Sequence, residues 1–143
     1  MKPLPDGYKL VTDHEAIDAV AAHAYLVGSY WSQGIPQETV RRAITNSLCV
    51  AVRFGDQQVA MARVITDRAT FAYLADVYVL DAHRGHGLSK AMVSWLHAHP
   101  ELQGLRRWML MTRDAHGLYE QFGWTALASP QSAMEHHNPS VYA

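Results

Sequence analysis

The sequence predicts an α+β domain of mixed α/β character, with a central, mostly antiparallel twisted sheet flanked by about four helices. Three observations predict it. Helical periodicity comes first in the chain; two apolar strand segments joined by Gly55-Asp56-Gln57 follow; a glycine-rich loop then leads from a further strand into a helix.

In chain order, Tyr8 to Val11 is a short strand. Thr12-Asp13-His14-Glu15 places Thr and Glu three apart, as in a capping box, and predicts a helix from Ala16. Ala16, Ile17, Val20, Ala21, Ala24 and Tyr25 recur at helical spacing, with Gly28 near the stop. Pro36 suits the first turn of a second helix, which runs to about Asn46. Leu48–Phe54 and Gln58–Thr66 are rich in Val, Ile and Ala and form a hairpin; a turn at Asp67-Arg68 leads to a third strand over Thr70–Leu80, which makes an antiparallel meander. After the loop 81–87, Met92, Val93, Trp95 and Leu96 mark a helix that ends before Pro100. Leu105–Thr112 reads as a strand, Ala115–Phe122 as a short helix and Trp124–Ala128 as a last strand. The tail 135–143 reads as either an edge strand or a loose end.

The length of 143 residues predicts one domain spanning the chain. Twelve Lys and Arg against thirteen Asp and Glu leave a formal charge of −1, so no bulk field draws the chain onto nucleic acid or anionic lipid. An anion would have to be held locally. Cys49 is the only cysteine, which excludes an intrachain disulfide and favours a reducing compartment. The segment Met1–Gly7 has no apolar run of a signal peptide, and no stretch approaches the ~20 apolar residues of a membrane span. These features predict a soluble, cytoplasmic protein.

The loop Arg84-Gly85-His86-Gly87-Leu88-Ser89 supplies such a local anion site. Its glycines can turn the chain and bring a ligand close to backbone N–H groups, and the helix that follows starts with N–H groups lacking an intrahelical partner. The alternative is a strand-to-helix turn whose glycines serve geometry only. The spacing is too short for a Walker loop, and the third glycine of the dinucleotide fingerprint is missing.

Here the chain resembles the GNAT acyltransferase superfamily. That family's central signature is Arg or Gln, two residues, Gly, one residue, then Gly or Ala; Arg84, Gly87 and Ser89 stand at these positions, with a small Ser at the last. Asp76-Val77-Tyr78-Val79 precedes it at the spacing of the family's central strand. Ala115-His116-Gly117-Leu118-Tyr119, followed by Phe122-Gly123-Trp124, resembles the second signature, with Thr112 where Asn is common.

The resemblance implies an N-acetyltransferase that moves an acetyl group from acetyl-CoA, as co-substrate, directly to an amine, with neither a covalent acyl-enzyme nor a metal. Backbone N–H groups of Gly85, His86, Gly87, Leu88 and Ser89 would bind the pyrophosphate and Arg84 would add charge. The strand end at Val77 to Val79 would pair with the pantetheine arm, and an N–H near Val79 would polarise the thioester carbonyl. Tyr119 matches the general acid that protonates the leaving thiolate; a buried structural tyrosine is the competing reading. Asp76, a lone carboxylate in an apolar strand, is the first candidate base; its alternatives are orienting substrate or pairing with an internal cation. His116 is a second base candidate. Tyr25, Trp31 and Tyr73, with Tyr30, are candidates for the acceptor pocket, with ordinary core packing as the alternative. Cys49, between apolar neighbours, reads as a small hydrophobe.

His97-Ala98-His99 and His136-His137 lack a spaced set of metal ligands, and Arg41-Arg42 and Arg106-Arg107 read as solvated faces. A small-molecule amine is the expected partner, with a protein Lys or N-terminus as the rival acceptor; small domains of this kind often pair through sheet edges or tails, which allows a homodimer, while the sequence leaves the oligomeric state open. The rival from another class is an acyl-CoA-binding module without catalysis.

Overall fold

The computed structural model describes residues 3–143; Met1 and Lys2, which begin the opening segment read above, lie outside the described residues. The chain resolves into two compact units, one ending at Leu110 and one from Met111 to Ala143.

The first unit is built on a five-stranded sheet in the order β1-β2-β3-β4-β5: Tyr8–Val11, Leu48–Phe54, Gln57–Thr66, Phe71–Val79 and Arg107–Leu110. The first four strands pair antiparallel as the meander requires, and β5 runs parallel to β4. The near-continuous apolar runs of β2 and β3 are buried on both faces, with Val50, Val52, Val59, Met61 and Val64 fully covered. Helices supply the cover: α1 (Ala19–Leu26) lies against α2 (Gln37–Thr45) and β3, while α3 (Leu88–Ala98) crosses β2, β3 and β4. Leu88, Ala91, Met92, Val93 and Leu96 form the buried stripe of α3. Each of the larger ones contributes about 1.5–3 kcal/mol by leaving water.

The start of α1 departs from expectation. Asp13, not Thr12, caps a 3-10 turn over His14–Ala16 by accepting the Glu15 N–H; the chain then extends at Ile17, and Asp18 caps a new start by accepting the Ala21 N–H. Two competing caps five residues apart divide what the periodicity reads as one helix. Asp18 is itself held from the sheet, because Gln58 Oε1 accepts its N–H and Gln58 Nε2 donates to its carbonyl.

The turn into β4 is organised by Asp67, whose carboxylate accepts the Thr70 hydroxyl and the N–H groups of Ala69, Thr70 and Phe71. The Thr70 side chain first, then these N–H groups, hold its carboxyl far below the usual carboxylate range.

In the second unit, α4 spans His116–Glu120 and a 3-10 turn spans Pro130–Ser132. The strand expected over Trp124–Ala128 does not form. Trp124 N–H instead donates to the Tyr119 carbonyl at 3.3 Å, and Thr125–Ala128 are exposed. A strand needs an edge to pair with, and local β propensity does not supply one. The tail carries no strand either and ends in turns over Pro139–Tyr142. Among the described residues no helix is long and apolar enough to cross a membrane.

Candidate active site

The site begins with an irregularity in β4. Arg63 of β3 pairs with Ala75 and Met61 pairs with Tyr78, so Asp76 and Val77 together oppose Ala62 alone. This is a β-bulge, and Asp76 sits in it at φ +51°, a left-handed conformation that only Asn, Asp and Gly adopt with any ease. Pairing with β5 stops at Leu74, opposite Leu110, so among the described residues no strand covers the β5 side of Ala75–Val79.

Alternation then decides which backbone groups line that open edge. Leu80 N–H points inward, donating to the Val59 carbonyl at 2.9 Å. The neighbouring pair, Val79 with Ala60, therefore turns its groups outward. The Val79 carbonyl accepts Arg84 Nε at 3.2 Å from that side, which confirms the direction. The Val79 N–H faces the same edge.

The strand runs into a 3-10 turn over Asp81–His83 and then the glycine loop. Gly85 and Gly87 take φ +82° and +77°, and a Cβ built on either meets nothing within 4 Å, so the loop surface is open where their side chains would be. Gly87 is the N-cap of α3 and lends no side-chain bond. Among the described residues the N–H groups from Gly85 to Lys90 donate to no protein acceptor, a run of donors at the positive end of an eleven-residue helix. Leu88 is buried and anchors the helix start in the core; Ser89 is half-buried; Gly85, His86 and Gly87 are exposed. Arg84 lies back along the loop, on the Val79 carbonyl and 3.1 Å from Asp81 Oδ1. His86 packs its ring 5.4 Å from Tyr8 of β1, and the Tyr8 hydroxyl bonds His83 Nδ1 at 2.9 Å.

Aromatic side chains gather beside the bulge. Tyr25 of α1 stacks on Tyr78 of β4 with centroids 4.4 Å apart and lies 6.3 Å from Trp31, which in turn meets Tyr30 edge-on. Trp31 and Tyr30 are exposed, Tyr25 and Tyr73 half-buried. Burial, then the nearby Asp76 charge, pushes the Tyr73 hydroxyl up, and burial pushes the Tyr78 hydroxyl to about 12. Of the residues expected to face an acceptor, Tyr25 and Trp31 stand together, and Tyr73 shares the electrostatic surroundings of Asp76.

Asp76 is paired with an internal cation. Its Oδ2 accepts Arg63 Nε and its Oδ1 accepts Trp31 Nε1, both at 2.8 Å. Arg63 was not singled out from the sequence, although the signal was there: a lone cation in an apolar strand, one strand from a lone acid in the next. Cys49, opposite Arg63 on β2, is buried, and that burial pushes its thiol to about 12 against the lowering effect of Arg63. It should therefore stay unreactive: at pH 8 the native protein is expected to resist iodoacetamide that alkylates the denatured chain, and equal rates would place the thiol in solvent.

In the second unit Tyr119 is buried on α4, its ring 5.9 Å from Trp124. Thr112 Oγ1 accepts the Ala115 N–H at 3.0 Å, closing the turn before the helix, and His116 is exposed at its first residue. His97 packs on Trp108 at 4.6 Å, and His99 Nδ1 accepts the Glu101 N–H.

The whole chain is similar to known proteins. Residues 45–126 match the acetyltransferase (GNAT) domain family. A candidate acetyltransferase from Gibberella zeae is 31% identical over 135 residues, covering 78% of this chain and 75% of its own. The crystal structure of a candidate acetyltransferase of the GNAT family from Xanthomonas campestris pv. campestris is 47% identical, with a TM-score of 0.93 and 99% of each chain covered. Glucosamine-6-phosphate N-acetyltransferase from Arabidopsis thaliana, at 14% identity, shares the fold with a TM-score of 0.64 over 92% of this chain and 97% of its own.

Proposed function

Because the chain belongs to the GNAT family of acetyltransferases, we propose that it carries an acetyl group from acetyl-CoA directly to a small-molecule amine held beside the β4 bulge. One observation carries this reading: a short turn beyond β4, whose edge past Leu74 no strand covers among the described residues, leads to N–H groups from Gly85 to Lys90 that meet no acceptor among those residues. The residues fit the donor molecule, since both glycines of the loop lie in the left-handed region with open space where a Cβ would stand.

In this reading the N–H groups of Gly85, His86, Gly87, Leu88 and Ser89 hold the diphosphate, which explains how a chain of net charge −1 binds a polyanion. The open edge at Val77–Val79 takes the amide-bearing arm as a strand would. Acetyl-CoA brings an acyl group activated as a thioester. The outward Val79 N–H donates to its carbonyl oxygen as negative charge develops there, a preorganised contact of the kind that lowers a barrier by about 3–4 kcal/mol.

Transfer forms a C–N bond and breaks the C–S bond. The nitrogen gives up its proton to water, and the departing sulfur takes one from Tyr119, a role assigned by its motif; solvent then returns a proton to Tyr119, so that the reaction is neutral overall. Attack needs an uncharged nitrogen, and an amine of pKa ~10.4 is only about one part in two thousand neutral at pH 7, so turnover should rise with pH across neutrality. Tyr25, Trp31 and Tyr73 supply an aromatic wall for the amine's carbon skeleton.

The test is thiol release from acetyl-CoA with pooled amines. Release that depends on a small amine supports the proposal. Tight CoA binding without release over a broad pool would make the chain an acyl-CoA-binding module, and release only with peptides would move the acceptor to a protein Lys or N-terminus.

A further inference from the structure

Resting on the proposed transfer at the β4 edge, we infer that Arg63, Asp76 and Trp31 form a latch that sets the bulge and thereby aims the Val79 N–H, with Arg63 and Asp76 acting as positioning residues. The latch is continuous across four elements. Ser47 Oγ donates to the Ala43 carbonyl of α2 at 2.6 Å, Arg63 Nη1 donates to Ser47 Oγ at 3.0 Å, Arg63 Nε donates to Asp76 Oδ2, and the Trp31 indole N–H donates to Asp76 Oδ1. The Arg63 and Asp76 side chains are 14% and 11% exposed, so water competes weakly for these bonds.

The bulge matters through parity. With its extra residue, Val79 pairs with Ala60 and faces outward, while Leu80 donates to the Val59 carbonyl. Were the extra residue taken into regular pairing instead of the bulge, Val79 would stand in the place of Leu80, opposite Val59, and its N–H would turn into the sheet. The left-handed Asp76 is what stores the extra residue, and the two donors on its carboxylate, Arg63 Nε and Trp31 Nε1, are what hold Asp76 there. The same carboxylate ties down Trp31, in the loop between α1 and α2, so the acceptor wall and the polarising N–H are set by one anion. A carboxylate that faces a guanidinium and receives a donor on each oxygen is suited to holding geometry.

Asp76→Asn keeps the left-handed preference and removes the charge; Arg63→Met keeps the length and removes the donors. Each is expected to lower kcat by about tenfold or more, the scale at which misplaced groups act. The KM for acetyl-CoA should stay within about twofold of wild type, and the acidic limb of the pH profile should not move. The double variant should be no slower than the slower single one, as members of one unit behave. A base would behave differently: Asp76→Asn would abolish the acidic limb, and Arg63→Met would shift that limb upward while kcat survived. Either result overturns the inference.

A readout independent of turnover separates this inference from the proposed reaction. In the full-length protein the Val79 amide and Trp31 indole N–H resonances should both shift in Asp76→Asn and Arg63→Met. If wild type transfers no acetyl group the proposed function falls, and the latch then stands or falls on these shifts; an unmoved Val79 amide overturns it. Should Arg63→Met fail to fold, Trp31→Phe removes the other donor to Asp76 from an exposed ring, and the fall in kcat and the shift of the Val79 amide are read there instead.

Discussion

Valine at position 87 is expected to raise the KM and Kd for acetyl-CoA by about one to two orders of magnitude, the largest binding effect of any single change in the loop. Gly87 holds φ +77°, and forcing a β-branched residue there costs of order 1–3 kcal/mol in backbone strain. Among the described residues, no atom beyond its own chain neighbours lies within 4 Å of a Cβ placed there, so the loss does not come from a clash within the fold. It comes from twisting the N-cap of α3 away from its donor geometry and from shielding the N–H groups a diphosphate must approach. Gly87→Asn, which tolerates the left-handed region, should retain much more affinity than valine. Titration of CoA into the two variants measures the difference, and normal affinity in the valine variant would remove the loop from the donor site.

Tyr119→Phe is expected to lower kcat by about a hundredfold or more while the Kd for CoA stays near wild type. The change deletes only a hydroxyl, and the buried ring keeps its contact with Trp124. The sulfur that leaves has a thiol pKa near ~8.5, so its need for a proton fades as pH rises above that value. The deficit should therefore be deepest near neutrality and narrow above about pH 9, where the thiolate departs unaided. A deficit independent of pH would make the hydroxyl structural, and unchanged turnover would remove Tyr119 from the chemistry.

Most of the architecture was legible because it rests on local signals. The Gly55-Asp56 turn, the apolar runs on either side of it and the stop before Pro100 are read within a few residues, and β2, β3, β4 and α3 stand where those signals put them. The glycine loop was legible for the same reason, since Gly85 and Gly87, two residues apart at a helix start, take the left-handed region that glycine adopts most readily. What the sequence could not carry was tertiary. Asp13 and Asp18 are both good caps, and which one opens α1 depends on Gln58, forty residues away, holding both polar groups of the Asp18 backbone. The Trp124–Ala128 segment has the composition of a strand without an edge to join. The bulge leaves no mark on the alternation of Phe71–Val79, because the residue that makes it is an ordinary aspartate. Its partner Arg63 becomes visible only once the hairpin register puts the two strands side by side.

The bond between Arg84 and the Val79 carbonyl bears on the first letter of the glycine motif, where the family pattern accepts arginine or glutamine. Those two side chains differ in charge but share an N–H at the end of a flexible arm. In the proposed reading the position supplies a tether: a hand from the loop that grips the last carbonyl of the strand and would fix how far the proposed phosphate donors stand from the proposed thioester donor. On this account the spacing between the two ends of the co-substrate site is a property of one main-chain oxygen and its captor, and a neutral amide would keep it where a longer or shorter cation would not.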